Sequence, residues 1–290
     1  MAAPLDFVDT HHHLWDLGRF HYDWLSGEGW PGHTALLGDY SSIRRDYLVE
    51  ELLAEFATAN VVKSVHVEAA YAGPDPVEET EWLQQVAEEH GFPHALVVFC
   101  DIEAEDADAQ LDRHCACDNV RGVRIRAHPD DVTDPAFRTA FAALGRRNLS
   151  YEQNASPGNL VSGRDLARDF PNTQIILGHT GFPLERTDEY FQRWRTEMAE
   201  LAEAPNVAVK ISGLGMVDNA WTVDSIRPWV LSTVEIFGVD RCMFGTNWPV
   251  DKLFSTYADL VAAYAEIIAD FSRDEQEQLF SRNAERYYRI

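Results

Sequence analysis

Two histidines one residue apart, His11 and His13 in VDTHHHLWD, are the first side chains along the sequence that could do chemistry. Side chains alternate between the faces of an extended strand, so Phe7, Asp9, His11 and His13 are expected on one side and Val8, Thr10 and His12 on the other. Two neutral imidazoles at one strand end can reach a single cation or a single substrate group, and imidazole is the commonest metal ligand. A tag remnant is the dull alternative. Tags, however, sit in polar flanks, whereas this run continues Leu5, Phe7 and Val8 and leads into Leu14 and Trp15. Further reactive types follow at wide intervals: Glu68 with His66 two residues before it, Arg124 and Arg126, Glu152 and Asn154, His179, Lys210 and Ser212, and Asn247 with Asp251 one turn beyond. Taken singly, each has a bland explanation, such as an interior ion pair or a helix cap. Gathered in one place, they could bind an anion, polarise a carbonyl and move a proton.

Gathering them requires elements that end at the same place. Short apolar runs recur about every thirty residues: LDFVD (5–9), VVKSVHVEA (61–69), ALVVFCD (95–101), VRGVRIR (120–126), LSYEQN (149–154), TQIILGH (173–179), VAVKISG (207–213) and RCMFGTN (241–247). Between them lie amphipathic helical patterns, such as Leu48, Leu52 and Phe56, or Trp82 and Val86 ahead of Gly91. Asp134-Pro135 is the sharpest helix start, a capping acceptor before a proline at the first helical position. Strands alternating with helices imply parallel pairing, and about eight such units close into a (β/α)8 TIM barrel, here one domain spanning 1–290. An open doubly wound sheet is the alternative, but it usually carries a glycine-rich turn after its first strand, where this sequence has histidines. In a barrel the reactive groups gather at the C-terminal strand ends, where all those named above fall.

Composition narrows the class of partner. A formal charge of −24 and a pI near 4.7 repel nucleic-acid backbones and anionic lipid, so a small-molecule substrate is expected, with no nucleic acid and no membrane. The acidic excess is spread over helical segments such as Glu78–Glu81 and Asp274–Glu277, as on a solvated surface. No apolar stretch has the length of a membrane span, and the first strand begins too early for a signal peptide, which points to the cytoplasm. Self-association into a homo-oligomer is compatible with all of this. The cysteines read as reduced core thiols, Cys100 and Cys242 in strands and Cys115 and Cys117 diverging on one helix.

The motifs HHHLWD, RGVRIR, ILGHTGFP, VKISGLG, MFGTNWPV and NAERYYR, in that order from Asp9 to Tyr288, resemble the amidohydrolase superfamily. Within it they resemble the branch of small-molecule lactonases and 2-pyrone-4,6-dicarboxylate lactonase-like hydrolases. The resemblance implies a (β/α)8 barrel that opens lactones of sugar acids or of aromatic-degradation intermediates, with zinc in some members and not in others. It also implies that His11 and His13 are the strand-one pair, His179 the strand-six histidine and Asn247 the strand-eight position. Two departures stand out. Most of the superfamily has aspartate at the strand-eight position, as metal ligand and base; an amide is neutral and cannot take the proton. In YEQNASPGN, many relatives have a histidine that has no counterpart here. A two-metal site is therefore not expected. A site without a metal is the preferred reading, with a single divalent cation such as zinc on His11, His13 and His179 as the alternative.

Lactone opening needs an electrophile for the carbonyl oxygen, a base for water and an acid for the leaving oxygen. Arg124, Arg126 and Lys210 could polarise the carbonyl or clamp a carboxylate, and Asn247 could donate to the oxyanion. For the base, His179 ranks before Asp251 and then Glu152, because imidazole titrates nearest neutrality. Glu68 and Glu152 join the substrate-binding set, and Trp15, Tyr22 and Trp24 are expected to wall a ring-shaped pocket. A lactone hydrolase is the leading reading. A lactone isomerase or decarboxylase is the alternative, favoured by Asn247, and a catalytically silent barrel that binds its ligand is the third.

Overall fold

The protein is represented by a computed structural model describing residues 4–27, 29–125 and 132–290. Eight strands form one sheet in sequence order: β1 (Phe7–His12), β2 (Val61–Val67), β3 (Ala95–Phe99), β4 (Val120–Arg124), β5 (Ser150–Gln153), β6 (Ile175–Leu177), β7 (Val207–Ile211) and β8 (Cys242–Phe244). Every neighbouring pair is parallel, as helical crossovers require. The ring closes between β8 and β1 through a parallel bridge from His12 to Trp248, with the Asn247 amide donating to the His11 carbonyl and the His13 amide to that of Trp248, each at 2.7 Å. This is a single-domain (β/α)8 barrel.

Burial follows the strand alternation. Val8, Val65, Val67, Ala95, Val97, Ile176, Ala208 and Met243, drawn from six strands, pack together with Tyr288 of the last helix and fill the barrel interior. The opposite faces join the larger core under the helices, which includes Trp194, Trp229, Phe137 and Phe141. The expected helix starts and stops are present. Asp134 accepts from the Phe137 amide at the head of Pro135–Arg146, and Gly91, at φ 76°, ends Val77–His90 in the left-handed conformation that glycine adopts freely.

Two expectations are corrected. Strict alternation fails in β1: between the pairs Asp9–Ser64 and His12–His66, β1 advances three residues while β2 advances two. That bulge reverses the face. Phe7 and Asp9 therefore reach outward to Phe280 and Tyr257, while His11 and His13 turn to the mouth. Cys115 and Cys117 do not share a helix, because Ala107–His114 ends before both; among the described residues all four cysteines are free thiols.

Candidate active site

A cavity of about 420 Å³ opens where the strands end. Its walls come from the segments after the strands: His13 after β1, Glu68 to Ala72 after β2, Arg124 at the end of β4, Asn154 after β5, His179 and Phe182 after β6, Met216 after β7, and Asn247 and Val250 after β8. Leaving a strand abruptly strains the backbone here. Of the eight non-glycine residues with positive φ among those described, Ala70, His179, Thr180, Phe182 and Asn247 stand at this mouth. Such conformations cost about 1–3 kcal/mol each and persist only where packing over-determines them.

The histidines come together as a neutral cluster. The ring of His11 lies 4.3 Å from that of His179 and 5.0 Å from that of His13, centre to centre. Burial is the largest cause holding His11 and His179 well below the usual imidazole range, and the cations Lys210 and Arg124 push the same way. His13 is lowered to about 4, again by burial first and Arg124 second. Its Nδ1 donates to the Val67 carbonyl at 2.8 Å. His179 Nδ1 pairs with the Ser212 hydroxyl at 3.1 Å, and Gly213 makes room for that ring, since a Cβ there would stand 2.5 Å from Nδ1. His12 belongs elsewhere, bonded to Ser64 and packed on Phe56 and His66 outside the barrel interior.

Asn247 and Asp251 form the second feature. Asn247 Nδ2 donates to Asp251 Oδ2 at 2.6 Å, and the Gly215 amide donates to Oδ1 at 3.1 Å. Burial pushes the Asp251 carboxyl up to about 7, against the lowering effect of those two bonds. The sequence placed His179 ahead of Asp251 on the ordinary imidazole range; burial reverses which of the two titrates near neutrality. The Asn247 amide also reaches His13, so it couples the histidine cluster to a buried acid.

The remaining candidates divide by depth. Arg124 lines the cavity, with Nε donating to Glu68 Oε1 at 2.8 Å, while Glu68 Oε2 accepts from the Ala70 amide. Lys210 and Glu152 lie beneath the cavity, fully buried, as an ion pair of 2.9 Å. Trp24 stands on the wall. Trp15 and Tyr22 lie behind it, their polar atoms bonded to the Arg45 carbonyl and to Glu79. Arg126 falls outside the described residues.

Several positions at the cavity and its seam were not singled out from the sequence. Asp9 accepts from the Thr246 amide and hydroxyl, the Tyr257 hydroxyl and the His11 amide, which locks the β1–β8 seam. Burial lifts its carboxyl to about 6. Its signal was its place in the first motif. Phe182 lies within one motif already singled out and Met216 directly after another, and Trp30, His33, Leu36 and Leu37 belong to the aromatic segment after Trp24.

Among the described residues no group of three or more His, Cys, Asp or Glu stands where it could hold a metal ion. The fourth position is an amide whose Nδ2 is turned to Asp251, and Arg124 and Lys210 act electrostatically on the same histidines.

The Amidohydrolase family model matches residues 8–290. The uncharacterized protein y4mH of Sinorhizobium fredii is 42% identical over 99% of this chain and 100% of its own length. An L-fucono-1,5-lactonase of Burkholderia ambifaria is 28% identical over 98% of this chain and 95% of its own. An amidohydrolase of Burkholderia multivorans, solved with bound zinc, superimposes with a TM-score of 0.81 at 24% identity, covering 98% of this chain and 99% of that one.

Proposed function

The chain belongs to the amidohydrolase family, and from that premise we propose that it opens a small acidic lactone, of sugar-acid or aromatic-degradation type, or a related ester, by attack of water. The observation that carries this reading is the Asn247–Asp251 couple set beside Arg124 and a neutral His179 on one cavity. Arg124, already braced by Glu68, binds the carboxylate or polarises the carbonyl. His179, its Nδ1 paired with the Ser212 hydroxyl, acts in the Nδ1–H tautomer and offers Nε2 to a water molecule. Its basicity is low in the empty site and rises as negative charge develops beside it. The proton taken from water passes to the ring oxygen as the acyl–oxygen bond breaks, so one lactone and one water give one hydroxy acid. Asp251 holds one N–H of Asn247 and leaves the other for the oxyanion. His11 and His13 form the floor, and Asn154, Glu152 and Lys210 support the wall and base.

The steps above use this chain's own side chains, and among the described residues no group of three or more His, Cys, Asp or Glu stands where it could hold a metal ion. An isomerase or decarboxylase reading is favoured by one feature, the amide at Asn247, which cannot take a proton from water.

Proton release in a weakly buffered solution, with protein pre-treated with a chelator and a panel of carboxylated lactones, tests the proposal. Release of one proton per lactone opened, at a rate unaffected by the chelator, is expected. Turnover without proton release favours isomerisation, and loss of rate restored by zinc overturns the metal-independent reading.

A further inference from the structure

The cavity has two unlike halves. The strand-end segments supply His13, Arg124, Asn154, His179 and Asn247, with Phe182 and Met216 close to His179; the long segment after β1 supplies Trp24, Trp30, Leu36 and Leu37. The second group presents mainly ring face and hydrocarbon. The Trp24 indole N–H is already donated to the Ala69 carbonyl, and the His33 ring stacks on that indole 5.2 Å away, hemmed in by Trp30 and Tyr40. Two polar side chains stand beside it, Asp23, one of whose oxygens pairs with His21, and His33. Trp30 is nevertheless 46% exposed, a large apolar side chain left at the rim by the folded chain itself. The helix Pro31–Leu37 carries this wall and packs on the short helix Leu214–Val217 that follows β7.

We infer that the enzyme prefers carboxylated lactones bearing an aryl or alkyl substituent, directed at the Trp24–Trp30–Leu36 wall, over polyhydroxylated sugar-acid lactones. This rests on the hydrolase reading above. A hydroxyl pressed against the indole faces or Leu36 exchanges its water for carbon, whereas an apolar substituent gains by leaving water. The anion end and the apolar end of such a ligand match the two halves of the cavity.

The test compares kcat/KM for three carboxylated lactones of one ring size: unsubstituted, phenyl-substituted and polyhydroxylated. The phenyl compound is expected to exceed the polyhydroxylated one by about tenfold or more, the scale of a well-buried apolar group. Trp30→Ala and Leu36→Asn should shrink that ratio, raising KM for the phenyl compound about tenfold with kcat little changed. A polyhydroxylated lactone that is the best substrate, or a ratio that neither variant moves, overturns the inference and leaves hydrolysis standing. If none of the three is opened, the hydrolase reading fails instead. Calorimetric binding of the three corresponding lactams then decides the preference: equal or tighter binding of the polyhydroxylated lactam overturns it.

Discussion

At the residue scale, Asn247 stands where the resemblance to the family implies an aspartate, and its surroundings suit an amide. Its Nδ2 donates to a buried carboxylate 2.6 Å away. Replacing it with aspartate would set two buried carboxylates side by side, and two such groups cannot both ionise. Asn247→Asp is therefore expected to lose on the order of a hundredfold in kcat, comparable to deleting one oxyanion donor. Steady-state kinetics at neutral pH check this, and a rate equal to or above that of the original protein would show that the amide is dispensable. The sequence revealed the substitution but not its partner's state, because the rise of the Asp251 carboxyl to about 7 depends on burial that only the fold creates.

At the element scale, all eight strands were legible as apolar runs, yet their ends were overestimated. The run 241–247 shrinks to Cys242–Phe244, and 173–179 to Ile175–Leu177, because the last residues leave the ladder to form the mouth. The bulge in β1 was illegible, since an extra residue has meaning only against the partner strand. The turn after β7 shows how an element serves the site. Gly215 brings its amide to Asp251, and a Cβ there would stand 2.4 Å from Asp251 Oδ1. Gly215→Ala should displace the carboxylate and release Asn247, lowering kcat by on the order of tenfold to a hundredfold, as small misplacements in catalytic groups do. Circular dichroism should show the fold retained; unchanged kcat would remove Asp251 from the positioning scheme.

At the scale of the whole molecule, the acidic composition argues against nucleic acid and anionic lipid as partners, and no described helix is long and apolar enough to cross a membrane. The barrel buries more imidazole than the sequence alone implies, and this sets its response to acid. Burial holds His11, His66 and His179 well below the ordinary imidazole range, and lowers His12 to about 3 and His13 and His114 to about 4. Groups depressed in this way contribute stability that is complete above the unfolded value of about 6.5 and is lost as pH falls toward the folded values. Asp9 and Asp251, raised to about 6 and about 7, act in the opposite sense, their contribution present below the unfolded value of 3.8 and lost as pH rises through 6 to 7. With six imidazoles against two carboxyls, Tm should be lower at pH 5 than at pH 7, even though the net negative charge is smaller there. A Tm at pH 5 equal to or above that at pH 7 would show that the buried histidines are compensated in the acid form.

The measurement that bears most directly on the proposed chemistry is oxygen-isotope incorporation during a single turnover of a carboxylated lactone in water enriched in oxygen-18. Hydrolysis at the acyl carbon with water as nucleophile places one heavy oxygen in the newly formed carboxylate and none in the hydroxyl that was the ring oxygen, and this is the expected result. A product of unchanged mass, or one that has lost carbon dioxide, would contradict it and assign this site to rearrangement or decarboxylation instead.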